Sequence, residues 1–216
     1  MDQDSSFFEG RFVERVVLAV FLLLQLWVFS GSFQKYFCND SLFYMINAPH
    51  SWHEFQRLLL APDEAKQYRP LNLGLAAIIR PFFGLNPHPY HWIALIFQML
   101  NTVLFYQIAR RLLSGSFSIL FATGFWGFHS VAGIVTYDIA YLSDFFLAFL
   151  FLITLILALL ARARNSRLLY AASLLAFILS LLTKEVAITF PLGIWIGISL
   201  AEIRKSGESV GLKGLL

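Results

Sequence analysis

Eight polar residues stand out against a largely apolar sequence: Asn39, Asp40, Arg69, His129, Asp138, Asp144, Lys184 and Glu185. Each sits at or near the edge of an apolar run, where an ionisable side chain is costly unless it is paired or used. Asp40, in Phe37-Cys38-Asn39-Asp40-Ser41, follows the first such run. A carboxylate there can take a proton as a general base or hold a divalent cation. It is equally suited to start a helix, because a helix-like stretch with Phe43, Tyr44 and Ile46 comes next. Arg69, in Tyr68-Arg69-Pro70-Leu71, precedes a proline suited to a first helical turn. Its guanidinium can grip a phosphate with two hydrogen bonds, or lie at lipid headgroups.

The others divide the same way. His129 is a lone histidine in an apolar setting, which is more often a hydrogen-bonded structural residue than a catalyst. Asp138 and Asp144 bracket a short linker, and Asp144 fits the start of the helix opened by Phe145-Phe146-Leu147. Lys184-Glu185 separates two short apolar stretches. It reads as a polar turn, or as a cation that pairs with phosphate while Glu185 orients it. The sequence has no Gly-rich phosphate loop, zinc motif or nucleophile elbow. Its single cysteine, Cys38, leaves no internal disulfide and no Cys-based metal site.

The elements that must carry these residues follow from composition. Of 216 residues, 58% are hydrophobic and only 13% charged, and the mean hydropathy is +0.70. A water-soluble domain needs far more surface charge, so lipid is the solvent that fits. The formal charge of +3 lies in small clusters rather than one basic stripe, which argues against nucleic-acid binding. A membrane span needs roughly 20 apolar residues. The candidates are residues 12–32, 91–108, 117–135, 145–161, 168–182 and 186–201. The first lacks a small-residue cleavage pattern and reads as a retained helix rather than a signal peptide. The last two read as a hairpin, because Lys184-Glu185 at mid-membrane is unfavourable.

Six crossings with a cytoplasmic N-terminus place Arg110-Arg111, Arg162/Arg164/Arg167 and Arg204/Lys205 on the cytoplasmic side. The expectation is an all-α polytopic protein with both termini cytoplasmic and its candidate site on the extracytoplasmic or lumenal face. Residues 1–205 form the transmembrane domain, and 206–216 a cytoplasmic tail or cut end. The external loop, about residues 33–90, is too long and too patterned for an ordinary connection. Ser51-Trp52-His53-Glu54 predicts a capping box opening a helix that Pro62 ends. Trp52, Phe55, Leu58 and Leu59 share its apolar face, which suits the membrane interface. Residues 71–80 predict a second surface or half-buried helix, with Leu71, Leu75, Ile78 and Ile79 on one face and Pro81 as its stop.

The order of these pieces resembles the N-terminal half of the membrane-embedded C-type glycosyltransferases, nearest to protein O-mannosyltransferases and the related tetratricopeptide-repeat mannosyltransferases. The matching stretches are Asn39-Asp40 with Tyr44 and Asn47, Tyr68-Arg69-Pro70-Leu71, and Phe83-Gly84-Leu85-Asn86-Pro87. Tyr90-His91, Ala109-Arg110-Arg111-Leu112, Phe128-His129, Ser143-Asp144-Phe145 and Leu182-Thr183-Lys184-Glu185-Val186 continue the series. The resemblance implies a polyprenyl-phosphate sugar as donor, an acceptor hydroxyl, membrane lipid as surroundings, and Asp40 as catalytic base. It implies Arg69 and Lys184 near donor phosphate, with Asn39, His129, Asp138, Asp144 and Glu185 in support. A divalent cation, held by Asp40, is a candidate cofactor. The chain departs from the family at the third span. Ser130 follows His129, Ala132 stands where relatives carry a second His, and Ile134 where they carry a Glu. Family enzymes also have later spans, so a truncated enzyme or a non-catalytic lipid-binding or assembly subunit are the alternative expectations.

Overall fold

The computed structural model describes residues 2–37, 39–60 and 68–206. It is all-α, with no strand among the described residues. Helix α1 (Asp2–Phe29) runs on into a 3-10 turn, Ser30–Gln34. Three shorter helices come next: α2 (Asn39–Asn47), α3 (Trp52–Leu60) and α4 (Pro70–Phe83). The long helix α5 (Pro87–Leu112) precedes α6 (Ser116–Phe128) and α7 (Ser130–Tyr137). Then come α8 (Leu142–Arg164), α9 (Arg167–Thr183) and α10 (Phe190–Ser206).

Among the described residues, five stretches are long and apolar enough to cross a membrane: Arg11–Gln34, Pro87–Leu112, Ser116–Ile134, Ile139–Arg164 and Glu185–Ile203. The fifth expected span, α9, has 17 residues, at the lower limit of about 17 for crossing the hydrocarbon. Local chemistry sets the joints. Asn86 caps α5 by accepting from the His88 amide at 3.2 Å, with Pro87 at the first helical position. Asn165, at φ 47°, makes the left-handed turn between α8 and α9. Lys184 is extended (φ −160°, ψ 140°) and separates α9 from the 3-10 turn Glu185–Thr189 that leads into α10.

Long-range side-chain contacts fix the direction of each helix. Glu14, near the start of the apolar stretch Arg11–Gln34 of α1, accepts from Tyr106 and Ser116, at 2.9 and 2.7 Å, where α5 ends and α6 begins. Arg162 late in α8 pairs with Glu202 late in α10. These contacts lie among the Arg110-Arg111 and Arg162–Arg167 clusters and define a basic end. The opposite end carries the α2–α4 layer, in which Met45, Ala48, Ala76 and Ile79 pack on Tyr90, Ala94, Leu142 and Phe145. Helix α10 reverses direction after α9 but packs alongside α8 and α5, while α9 packs chiefly on α8, so the two do not form the directly packed hairpin that the sequence predicts. Helix α8 forms the middle of the bundle, packed against α5, α9 and α10.

Three other sequence expectations need correction. The third span is not one helix: it breaks at His129 into α6 and α7. Pro81 does not stop α4, which continues to Phe83 and ends at Gly84 with φ 58°. A proline near a helix end loses only one amide bond, whereas Gly84 supplies the left-handed residue that terminates it. The buried face of α4 is also rotated from the one expected. Asn72, Leu73, Ala76 and Ile79 are buried, while Ile78 is exposed. The capping box of α3 is present, with Ser51 Oγ accepting from the Glu54 amide at 3.2 Å and Glu54 Oε2 from the His50 amide at 2.7 Å. Pro62 lies outside the described residues.

Candidate functional site

At the end opposite the basic clusters, four charged residues from three regions of sequence meet. Arg69 is the residue from which α4 starts, and its carbonyl accepts from the Asn72 and Leu73 amides. Its Nε donates to Glu185 Oε2 at 2.8 Å, and its Nη2 donates to Glu185 Oε1. The result is a two-pronged guanidinium–carboxylate pair, the geometry that also suits phosphate. Lys184 Nζ donates to Asp144 Oδ1 at 2.7 Å, in the first turn of α8. Because Lys184 is extended, the consecutive side chains of Lys184 and Glu185 reach different partners. The two pairs tie the starts of α4 and α8 to the end of α9.

Exposure separates the two pairs. Glu185 is 68% exposed against 15% for Arg69, whereas Lys184 and Asp144 are 24% and 28% exposed. Glu185 therefore gives up little when it leaves its partner for water. Asp144 and Lys184 are each harder to separate, because an unpaired charge would remain partly desolvated.

Of the remaining predicted residues, His129 and Asp138 cap local structure. Asp40 is exposed in the first turn of α2, the helix-start role that its sequence context equally allows. The side chain of Asn39 lies outside the described residues. His129 caps α7, its Nδ1 accepting from the Val131 amide at 3.3 Å. Asp138 Oδ1 accepts from the Ala140 amide at 2.9 Å and opens the 3-10 turn Ile139–Tyr141. No group of three or more His, Cys, Asp or Glu side chains able to hold a metal occurs among the described residues. One carboxylate at Asp40 does not by itself make a protein cation site.

Sequence patterning did not reveal a polar layer inside the bundle. Gln25 of α1 donates to Thr102 Oγ1 at 2.8 Å and to the Gly127 carbonyl at 3.0 Å. Gln98 donates to the same carbonyl at 3.1 Å, and Asn101 donates to the Phe145 carbonyl at 2.9 Å. The signal was present: Gln98, Asn101 and Thr102 recur at helical spacing within an apolar run. Beside this layer lies an apolar cleft of about 420 Å³ between α5, α6, α7 and α8. His129 and Asp144 line it along with Gln98 and Asn101. Another residue that patterning missed is Glu14, buried at the basic end, with Arg110 Nε 3.4 Å from its carboxylate.

No protein-family model, curated protein or solved structure matches this chain.

Proposed function

We propose that this protein handles a polyprenyl-phosphate sugar at the end opposite its basic clusters, on the extracytoplasmic or lumenal face. It transfers the sugar to an acceptor hydroxyl. The acceptor oxygen attacks the anomeric carbon while its proton passes to the Asp40 carboxylate. The anomeric C–O bond to phosphate breaks, and the polyprenyl phosphate leaves with the electron pair. Arg69 and Lys184 offset the charge on the phosphate, the main electrostatic demand of such a step. The observation that carries this reading is the meeting of Arg69, Asp144, Lys184 and Glu185 in one charged centre. Two of the motifs that resemble C-type glycosyltransferases, Tyr-Arg-Pro-Leu and Lys-Glu, lie far apart in sequence and join there.

The test is reconstitution of the purified chain in lipid vesicles with radiolabelled polyprenyl-phosphate mannose and a hydroxyl-bearing acceptor. Transfer that disappears in Asp40→Asn, with membrane insertion intact, supports the assignment. Full transfer by Asp40→Asn rejects Asp40 as base.

One observation favours a second reading, a non-catalytic lipid-binding or assembly subunit. Both candidate phosphate-binding cations are already neutralised by carboxylates of the same chain. On that reading the pairs are struts, no transfer occurs with any donor, and Asp40→Asn is silent. Disruption of α3 then weakens association with the partner complex.

A further inference from the structure

Helices α9 and α10 both use α8 as their support. Ser173 of α9 donates to the Thr154 carbonyl of α8 at 3.0 Å. Ile194, Ile198 and Ala201 of α10 pack on the cluster that Leu152, Leu155 and Leu159 of α8 help to form. At the basic end the three helices border a pocket of about 670 Å³, within the range of small-molecule sites, roughly 300–1,000 Å³. Its wall is apolar at Leu159, Ile198 and Ala201, and polar at Arg162, Tyr170 and Glu202.

The charges on that wall define the ligand. Arg162 of α8 and Glu202 of α10 are paired with each other, and their side chains are 56% and 49% exposed. A pair so open to water contributes little stability, so a ligand parts it at small cost. A lone anion would satisfy Arg162 but meet the Glu202 carboxylate as a like charge. A lone cation would meet Arg162 in the same way. A group that carries both charges a few bonds apart exchanges one ion pair within the chain for two with the ligand. A phosphate joined through two carbons to a primary ammonium has that form. Arg162 can grip its phosphate with two hydrogen bonds, and its ammonium N–H groups can donate to Glu202. A trimethylammonium has no N–H to donate and is held by aromatic faces, of which the described wall has Tyr170 alone.

An apolar track leads away from the pocket. Tyr170, Leu174 and Ile178 recur at helical spacing on α9, and all three are exposed. A ligand with a hydrocarbon tail can use both features, whereas a free head group uses only the first. We infer that this pocket binds the head group of a membrane phospholipid bearing a primary ammonium, the chemistry of phosphatidylethanolamine. The phosphate takes Arg162, the ammonium takes Glu202, and an acyl chain lies along Tyr170, Leu174 and Ile178. The bound lipid links α8 to α10 in place of their direct ion pair. The site is independent of the sugar-transfer reading, since it lies at the opposite end of the bundle from Arg69 and Lys184.

The test is lipid titration of the full chain, purified in detergent, read by native mass spectrometry. The probes are phosphatidylethanolamine, phosphatidylcholine and phosphatidylglycerol with the same acyl chains, and glycerophosphoethanolamine, which has the head group and no acyl chain. The expected result is that phosphatidylethanolamine binds about tenfold tighter than the other two lipids, as loss of one charge-assisted hydrogen bond predicts. Glycerophosphoethanolamine at equal concentration does not displace it. Glu202→Gln lowers phosphatidylethanolamine to the level of phosphatidylcholine, and phosphatidylglycerol then binds at least as well as either. Arg162→Gln weakens all three lipids about tenfold, the loss of a bond to phosphate. The head-group series on the unaltered chain needs no variant, so it decides even where a variant fails to fold. Phosphatidylglycerol binding as tightly as phosphatidylethanolamine to the unaltered chain means simple attraction to the basic clusters and overturns the inference. Equal binding of phosphatidylcholine, or a preference that survives Glu202→Gln, removes the ammonium contact and overturns it. Full competition by glycerophosphoethanolamine makes the ligand a soluble one, and retention of no lipid leaves the pocket to water; either result overturns it too.

Discussion

Arg69 and Glu185, separated by 116 residues of sequence, meet with Arg69 Nε 2.8 Å from Glu185 Oε2. The partner of the arginine is a carboxylate that is 68% exposed, so an incoming anion competes with a group that water readily takes back. On the proposed function, the phosphate enters by exchange. It displaces Glu185 from Arg69 before it disturbs the more sheltered Lys184–Asp144 pair.

Glu185→Gln removes that competitor. The expected outcome is an increase of roughly three- to tenfold in affinity for a short-chain polyprenyl phosphate, worth about 0.7–1.4 kcal/mol. Thermal stability should fall by about 1–2 kcal/mol, because Arg69, only 15% exposed, is left partly desolvated without its carboxylate. Titration calorimetry on the detergent-purified protein reads the affinity, and thermal unfolding reads the stability. A weaker affinity in Glu185→Gln would show instead that the carboxylate orients Arg69 for its ligand.

Arg69→Lys keeps the charge and loses the two-pronged grip. Polyprenyl-phosphate affinity should fall about tenfold, with helix content unchanged by circular dichroism. Unchanged affinity would remove Arg69 from the anion site.

Lys184→Met leaves Asp144 partly sheltered and without its cation, and Asp144→Asn leaves Lys184 in the same position. Each single variant should lose about 1–2 kcal/mol of stability, less than a fully buried pair because water reaches both groups. The double variant should lose less than the two single losses added together. Thermal unfolding in one detergent gives all four corners of the cycle, and strict additivity would mean the pair is not coupled.

Gly127 lets α6 approach α1. A Cβ added there would stand 2.5 Å from Gln25 Nε2, and the Gly127 carbonyl accepts from both Gln25 and Gln98. Gly127→Ala should destabilise the bundle by about 1–3 kcal/mol, the usual range for overpacking. Adding Gln25→Ala should relieve part of that loss, because it removes the clashing group. A second variant no more stable than Gly127→Ala alone would place the strain elsewhere.

Glu14 is buried at the basic end and accepts from Tyr106 and Ser116 beside Arg110. Glu14→Ala strips three groups of a shared partner and should cost about 3 kcal/mol. Glu14→Gln keeps an oxygen for one hydroxyl and should cost less. Equal losses in thermal unfolding would show that packing, not charge, is what Glu14 supplies.

Whatever depends on neighbours in the chain was legible in residue order. Apolar run length set the long helices, and Asn86-Pro87, Ser51 with Glu54, and Asn165 set their ends, because capping is settled within a turn of backbone. The spacing of the basic clusters fixed which helix ends lie together. Folding set which face of α4 is buried, since Ala76 and Ile79 face inward only once α2 and α5 are in place. It also decided that Asp138 and His129 serve as caps, while Asp144 and Glu185 hold the two cations. Gln25 and Asn101 read as isolated polar residues in apolar runs, and the packing of α1, α5, α6 and α8 joined them into a layer. The physical reason is common to all of these: hydropathy and helix capping are local sums, whereas an ion pair or a buried amide takes its meaning from a partner brought close only by folding.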